Sequence, residues 1–340
     1  MGMNIQTMRG DRSKSLWEIK AKIEQRIREL ANNGKYITRK MEENENVVDL
    51  KEQLNAVTDY HQIIEYLLII EKNASRIRNS PTNVPEWNFL CSCKSLDTLL
   101  IRKENVLSHS LEYLEKEQKA EQSLIDFLHK YGHFHMRPPS LTEDLLLIVE
   151  IAKSLPFFPK LDLNDNIYLL STIALPLLVL VMGYYSYTKR SETIIFPCGI
   201  SAIYSLRGEF YGGDLTMEPF NRVKLEEEEY VLLKAIIYSH MVTNGLSQNG
   251  QKILLAEAEK YSGILLKVLQ NNYGPIPGAR RYTELLQLIE FCFNHAKYHS
   301  LLLNYIAFVH DRGQFHNVMP KALADLCLRG NVKLPELEQL

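Results

Sequence analysis

The chain has 340 residues, of which 46% are hydrophobic, and its formal net charge is only −2. The hydrophobic content is sufficient for a substantial core, and the near-neutral charge excludes a general electrostatic attraction to nucleic acid. Low counts of glycine (16) and proline (13) favour helix over sheet. The five cysteines are scattered and include no paired Cys-x-x-Cys, which indicates reduced thiols and argues against a structural zinc site. The amino terminus has no apolar segment of a secretory signal.

Two regions of different character precede the first strongly helical segment. Residues 13–55 are predicted to be a hinge, because an amphipathic stretch is followed by the charged run that begins at Lys40. Residues 60–78 have apolar side chains at helical spacing and predict a helix. The two prolines within residues 79–88 predict a loop after it.

The next segments predict three helices. Residues 95–100 form a short one and residues 107–131 a longer one. Residues 142–155 have apolar side chains on one helical face, with Thr142 as N-cap. Pro156 and Pro159 end this helix, because proline lacks an amide donor and disfavours helix in the residue before it.

Residues 167–187 contain no charge, so they meet the length criterion for a membrane-spanning helix. Serine, threonine, proline and four tyrosines make the segment less apolar than a typical membrane span. No other segment of the chain is comparably apolar. We interpret it as a buried core helix, with a membrane span as the alternative.

Residues 194–196 predict a strand that pairs with 200–206 in a small hairpin. Helices are predicted over 226–240, 248–271 and from Arg281 to about 312. The fold class predicted from these elements is all-α, with one hairpin.

One stretch closely resembles the signature of nuclear hormone receptor ligand-binding domains. The matching positions are Ala152-Lys153, Leu155-Pro156, Phe158, Leu161, Asp165 and Leu169-Leu170. Phe157 stands where glycine is usual, and Asn166 where glutamine is usual. The resemblance is to nematode-type receptors related to hepatocyte nuclear factor four. It implies a three-layer helical sandwich with one small β-hairpin.

The resemblance also implies a domain organisation. Residues 1–12 resemble the tail of a zinc-finger DNA-binding domain that is missing here. Residues 13–55 would be the hinge, 56–330 the ligand-binding domain and 331–340 a C-terminal tail. Residues 322–328 resemble the activation helix, and 334–340 is a rival candidate that Pro335 makes a poorer helix.

These likenesses imply a groove that binds an amphipathic coregulator helix of the Leu-x-x-Leu-Leu type. Lys153 would cap the carbonyl end of that helix and Asp325 its amide end, and each charge would match the helix dipole. The groove residues implied are Lys153, Asp165, Asn166, Leu170 and Asp325; those of the activation helix are Leu323, Asp325, Leu326 and Leu328.

A ligand pocket and a dimer surface are implied as well. The pocket would hold a lipophilic ligand, fatty-acid-like or of unknown kind, or else be filled by side chains. Its predicted lining is Leu145, Ile148, Val181, Met182 and Tyr185. The resemblance implies homo- or heterodimerisation with another nuclear receptor through Arg281, Tyr282, Leu285, Leu286 and Ile289.

The predicted function is regulation of transcription in the nucleus, without enzymatic activity or a cofactor in this chain. The chain would bind DNA only through missing zinc fingers or through a partner. Zinc would be bound only by those fingers. No membrane association is expected. No metal site is predicted, since the pairs His133/His135 and His295/His299 have no third ligand nearby in the sequence. The alternative is a helical scaffold or adaptor that acts through dimerisation and binds no small molecule.

Overall fold

The computed structural model describes residues 47–80, 95–113, 138–195, 197, 205–206, 209–210, 217–240, 245–305 and 320–328. The chain divides into two units, residues 1–62 and 63–340. The tail 1–12, the C-terminal segment 331–340 and the hinge up to residue 46 lie outside the described residues. Residues 47–55, also assigned to the hinge, are the first turns of a helix.

Within the described residues, the elements are nine α-helices and one two-stranded hairpin. They are α1 (Val47–Asn79), α2 (Leu96–Ile101), α3 (Pro138–Ser154), α4 (Leu163–Thr188), β1 (Ser205–Leu206), β2 (Glu209–Phe210), α5 (Glu218–Val223), α6 (Glu227–Tyr238), α7 (Gln248–Tyr273), α8 (Pro275–Tyr305) and α9 (Lys321–Leu328). Two 3-10 helices, Val106–Glu112 and Phe158–Lys160, lie beside α3.

The connection between α3 and α4 follows the sequence signature. The prolines at 156 and 159 end α3 as predicted, and a 3-10 turn separates it from α4. Asp162 is the N-cap of α4, and its side chain accepts a hydrogen bond from the Asp165 amide at 2.8 Å. Thr142 is not the N-cap of α3, because the helix begins at Pro138 and Thr142 lies buried inside it. Proline is well tolerated in the first turn, where its missing amide has no helical partner.

Helix α4 is the core helix that the uncharged segment predicts. It contacts α3, α6, α8 and α9. Among the described residues, it is the one helix long and apolar enough to cross a membrane by length and composition, and 72% of its most apolar window is buried inside the protein. Because α4 contacts both α3 and α8 and most of its side chains are buried, it lies in the interior of the helical sandwich.

Two predicted elements differ from the structure. The described hairpin pairs Ser205 with Phe210 and Leu206 with Glu209, so Ile194 and Ile195 are not part of it. Residues 196 and 200–204 of the predicted strands lie outside the described residues. The Ile195 amide instead donates to Ser186 Oγ near the end of α4, at 2.9 Å, which attaches this segment to the helix. The predicted helix 107–131 is a 3-10 helix as far as Glu112, and residues 114–137 lie outside the described residues.

Ion pairs between distant segments join the helices. Glu71 of α1 pairs with Lys234 of α6 at 2.5 Å. Arg78 of α1 pairs with Asp144 of α3 at 2.6 Å, and both side chains are buried. Since α1 is joined in this way to both α3 and α6, its residues from 63 onward are part of the same packed unit.

Candidate functional site

Helix α9, the predicted activation helix, is docked on the body of the domain. It packs against α2, α3, α4 and α8. Leu323, Leu326 and Cys327 are buried, whereas Asp325 and Leu328 are half-buried. Ser300 of α8 donates a hydrogen bond to the Cys327 carbonyl at 3.4 Å. A helix of this length is unstable by itself, so these contacts hold it in place.

Lys153 lies in the last turn of α3, and its side chain is only 10% exposed. Its Nζ donates to Glu150 Oε1 at 3.0 Å and to the backbone carbonyl of Glu104 at 3.1 Å. The Glu150 side chain is fully buried, so Lys153 compensates a carboxylate that would otherwise be costly inside the protein. The role of helix cap implied by the resemblance requires a lysine that is open to a partner helix, whereas the structure shows one that is already engaged.

Residues 104–106, which follow α2 and include the Glu104 carbonyl bonded by Lys153, form further hydrogen bonds to α3. Asn105 Nδ2 donates to the Glu150 carbonyl at 2.9 Å and to Ser154 Oγ at 3.0 Å. The Val106 amide donates to Glu150 Oε2 at 2.9 Å. The carboxylate of Glu150 therefore bonds Lys153 with one oxygen and the backbone of residue 106 with the other.

The other predicted groove residues near the start of α4 are buried. Asp165 accepts hydrogen bonds from the Ser247 amide at 2.7 Å and from Ser247 Oγ at 2.6 Å, and so binds the N-terminus of α7 to α4. Leu170 is fully buried in the core. Asn166 is buried, and its Oδ1 has no hydrogen-bond partner among the described residues. Asp165 and Leu170 hold the helices together here, and neither presents its side chain to a partner.

Four of the predicted pocket residues, Leu145, Ile148, Val181 and Met182, are buried. Tyr185 is half-buried, and the Arg78 guanidinium lies 4.5 Å from the centre of its ring. A cleft with room for about one water molecule lies between α1, α3 and α6, and its lining includes none of these five residues. Arg78, which the sequence analysis did not single out, is thus a charged group in contact with the predicted pocket lining.

The predicted dimer residues on α8 divide into two groups. Arg281 is engaged internally, because its Nε and Nη2 donate to Glu229 of α6 at 2.9 and 2.6 Å. Its hydrogen bonds to Glu229 raise the pKa of Arg281 against the opposing effect of burial. Leu285 is buried in the core. Tyr282 and Ile289 are half-buried and Leu286 is 38% exposed, so these three can still contact a second molecule.

The thiols and histidines of the described residues do not form a metal site. Cys292 and Cys327 are buried free thiols, and burial raises the pKa of Cys327 to about 12, so it is protonated at neutral pH. Burial, with a contribution from His295, lowers the pKa of His299 to about 4. No group of three or more potential ligands occurs in this part of the chain. His133 and His135 lie outside it.

Known proteins match this chain over its central helices. Residues 139–290 match the family described as the ligand-binding domain of nuclear hormone receptor. Nuclear hormone receptor family member nhr-60 of Caenorhabditis elegans is 29% identical over 147 residues, which are 43% of this chain and 33% of that protein. Member nhr-124 of the same organism is 28% identical over 152 residues, or 42% of this chain and 40% of that protein. Hepatocyte nuclear factor 4-beta of Xenopus laevis is 31% identical over 113 residues, or 32% and 25%.

The chain therefore covers between a quarter and two fifths of these relatives. The matched region begins in the first turn of α3 and ends inside α8, so it includes Lys153, the whole of α4 and the predicted dimer residues. Helices α1, α2 and α9 lie outside it, and their equivalence to family elements stays a prediction. The match confirms the all-α fold class and the resemblance in the signature: residues 139–290 of this chain are similar to the ligand-binding domain of nuclear hormone receptors.

Proposed function

We propose that this chain regulates transcription by RNA polymerase II in the nucleus, by recruiting coregulator proteins in response to a lipophilic ligand. The observation that carries the proposal is the docking of α9 on α4 and α3, with Asp325 only half-buried. In this proposal, α9 completes a binding surface bounded by the end of α3 and the start of α4. DNA would be reached through zinc fingers or a partner receptor.

The proposed partner is an amphipathic helix that buries its leucines between these elements. Such a helix has unpaired carbonyls at one end and unpaired amides at the other. Lys153 already donates to a main-chain carbonyl, that of Glu104, so its ammonium group can serve as the carbonyl cap. Asp325 would accept from the amide end, where a negative charge also matches the helix dipole.

Replacing Asp325 with alanine is expected to weaken binding of a labelled Leu-x-x-Leu-Leu peptide by roughly 1–3 kcal/mol, the usual contribution of a charged hydrogen bond. Fluorescence anisotropy measures the affinity, and circular dichroism checks that the helical fold persists. Lys321→Ala is the matched control, because Lys321 is an exposed charge on the same helix. An affinity that Asp325→Ala leaves unchanged would contradict the assignment of α9. The rival segment 334–340 would then be tested through Glu336 and Glu338.

The same proposal includes a dimer formed through α8. Leu286→Arg is expected to convert the dimer to a monomer, because it places a charge in an apolar seam between two helices while leaving the buried Leu285 in place. Sedimentation velocity at tens of micromolar measures the change. Ile69→Arg, on α1 and 51% exposed, is the control that should keep the dimer. A monomeric unaltered chain at that concentration would disprove this part of the proposal.

A second candidate function is a helical scaffold that acts through dimerisation without a ligand. The specific observation in its favour is that four of the five predicted pocket residues are buried and line no part of the described cleft. Organic extraction of the purified protein followed by mass spectrometry separates the two functions. A lipid recovered in stoichiometric amount supports the ligand-responsive receptor, and its absence supports the scaffold.

A further inference from the structure

Helix α2 has the sequence Leu96-Asp-Thr-Leu99-Leu100, which is itself a Leu-x-x-Leu-Leu motif. The three leucines lie on one face, because positions i, i+3 and i+4 of a helix are neighbours. Leu96 and Leu99 are fully buried and Leu100 is half-buried, whereas Thr98 is exposed. The motif is therefore used for packing in the way that a docked peptide of this type uses its leucines.

Helix α2 is buried against elements that would also bound the proposed coregulator groove. Helix α2 packs against α9 and α4, two of the three elements that bound the groove. The third element, the end of α3, holds the residues that follow α2. Lys153 Nζ lies 3.1 Å from the carbonyl oxygen of Glu104, three residues beyond the end of the helix. A lysine at this place on α3 was expected to cap the carbonyl end of a partner helix.

We propose that residues 96–106 occupy the coregulator groove as an internal ligand, which an external Leu-x-x-Leu-Leu helix must displace. This inference rests on the proposed function, because it takes the groove to be the binding surface for coregulators. Asn105 and Val106 strengthen the closed state, because their side-chain and backbone donors bond Glu150 and Ser154 of α3. A coregulator that inserts its leucines would replace α2 and take the hydrogen bond from Lys153.

Covalent attachment makes the internal motif a strong competitor. A tethered segment acts at an effective concentration on the order of 1 mM. If its own affinity for the groove were about 100 μM, an external peptide would bind about tenfold more weakly than to an empty groove. The inference therefore predicts a receptor with low basal affinity for coregulators that rises when α2 is released.

The test compares the affinity of a labelled Leu-x-x-Leu-Leu peptide for the full chain and for Leu96→Ala/Leu99→Ala. The double variant removes the two buried leucines of the internal motif, so the peptide should bind about tenfold more tightly. Ile101→Ala is the matched control: it lies on the same helix, is 67% exposed, and should leave the affinity unchanged. A peptide that binds the unaltered chain and the double variant equally would leave the proposed function standing and overturn the internal ligand. A peptide that binds neither would overturn both.

Hydrogen exchange on the unaltered chain gives a second measurement that does not depend on the stability of the double variant. Saturation with the peptide should reduce the protection of the amides in residues 96–113, because the segment leaves the groove. Protection that stays unchanged at full peptide occupancy would show that α2 and the peptide bind different surfaces, and would refute the inference.

Discussion

Replacing Asp144 with asparagine is expected to lower the free energy of unfolding by about 3–5 kcal/mol, the usual cost of breaking a buried ion pair. Arg78 Nε donates to Asp144 Oδ1 at 2.6 Å, and Nη2 donates to Oδ2 at 3.0 Å. The two side chains are 9% and 1% exposed. Asparagine removes the negative charge and one of the two acceptors, which leaves the guanidinium buried without its counter-charge.

Chemical denaturation measures this effect, and the chain supplies a matched control. Arg222 and Glu218 form a pair of the same chemistry at 3.1 Å, but their side chains are 52% and 65% exposed. Glu218→Gln should change the unfolding free energy by less than about 0.5 kcal/mol, since solvent screens exposed pairs. Equal effects of the two substitutions would mean that Arg78 and Asp144 are not paired in a dry interior. The attachment of α1 to α3 would then lose its main support.

The helices of this fold could be predicted because their signals are local. Proline positions locate the end of α3, and the long uncharged segment locates α4. The acids at 226–229 begin α6, where Glu226 and Glu229 form a capping box. Boundaries were less accurate: α3 and α8 both begin at prolines several residues before the predicted starts.

The partners of Asp165 and Arg281 could not be predicted, because both partners lie far away in the sequence. Asp165 bonds Ser247 across 82 residues, and Arg281 bonds Glu229 across 52. Both residues occur in patterns that resemble functional motifs, and both instead join helices inside the domain. The Leu-x-x-Leu-Leu motif of α2 is a local pattern, but its contact with α9 and α4 is visible only in the folded chain.

Lys153 is the residue for which sequence and structure lead to opposite expectations. An exposed lysine at a helix end would tolerate alanine without loss of stability. The structure shows a mostly buried ammonium group 3.0 Å from the fully buried Glu150 carboxylate. Lys153→Ala is therefore expected to lower the free energy of unfolding by roughly 3 kcal/mol, because it leaves a buried charge without its counter-charge.

A double-mutant cycle with Glu150→Gln tests this reason directly. The glutamine can still accept from the Val106 amide, as Glu150 Oε2 does at 2.9 Å, but it carries no charge. Lys153→Ala combined with Glu150→Gln should therefore cost less than the sum of the two single changes, because no carboxylate then remains unpaired. Costs that simply add, or a Lys153→Ala variant as stable as the unaltered chain, would place the ammonium group in solvent. Lys153 would then be an exposed side chain at the edge of the groove, and its contact with Glu104 would not hold the internal motif in place.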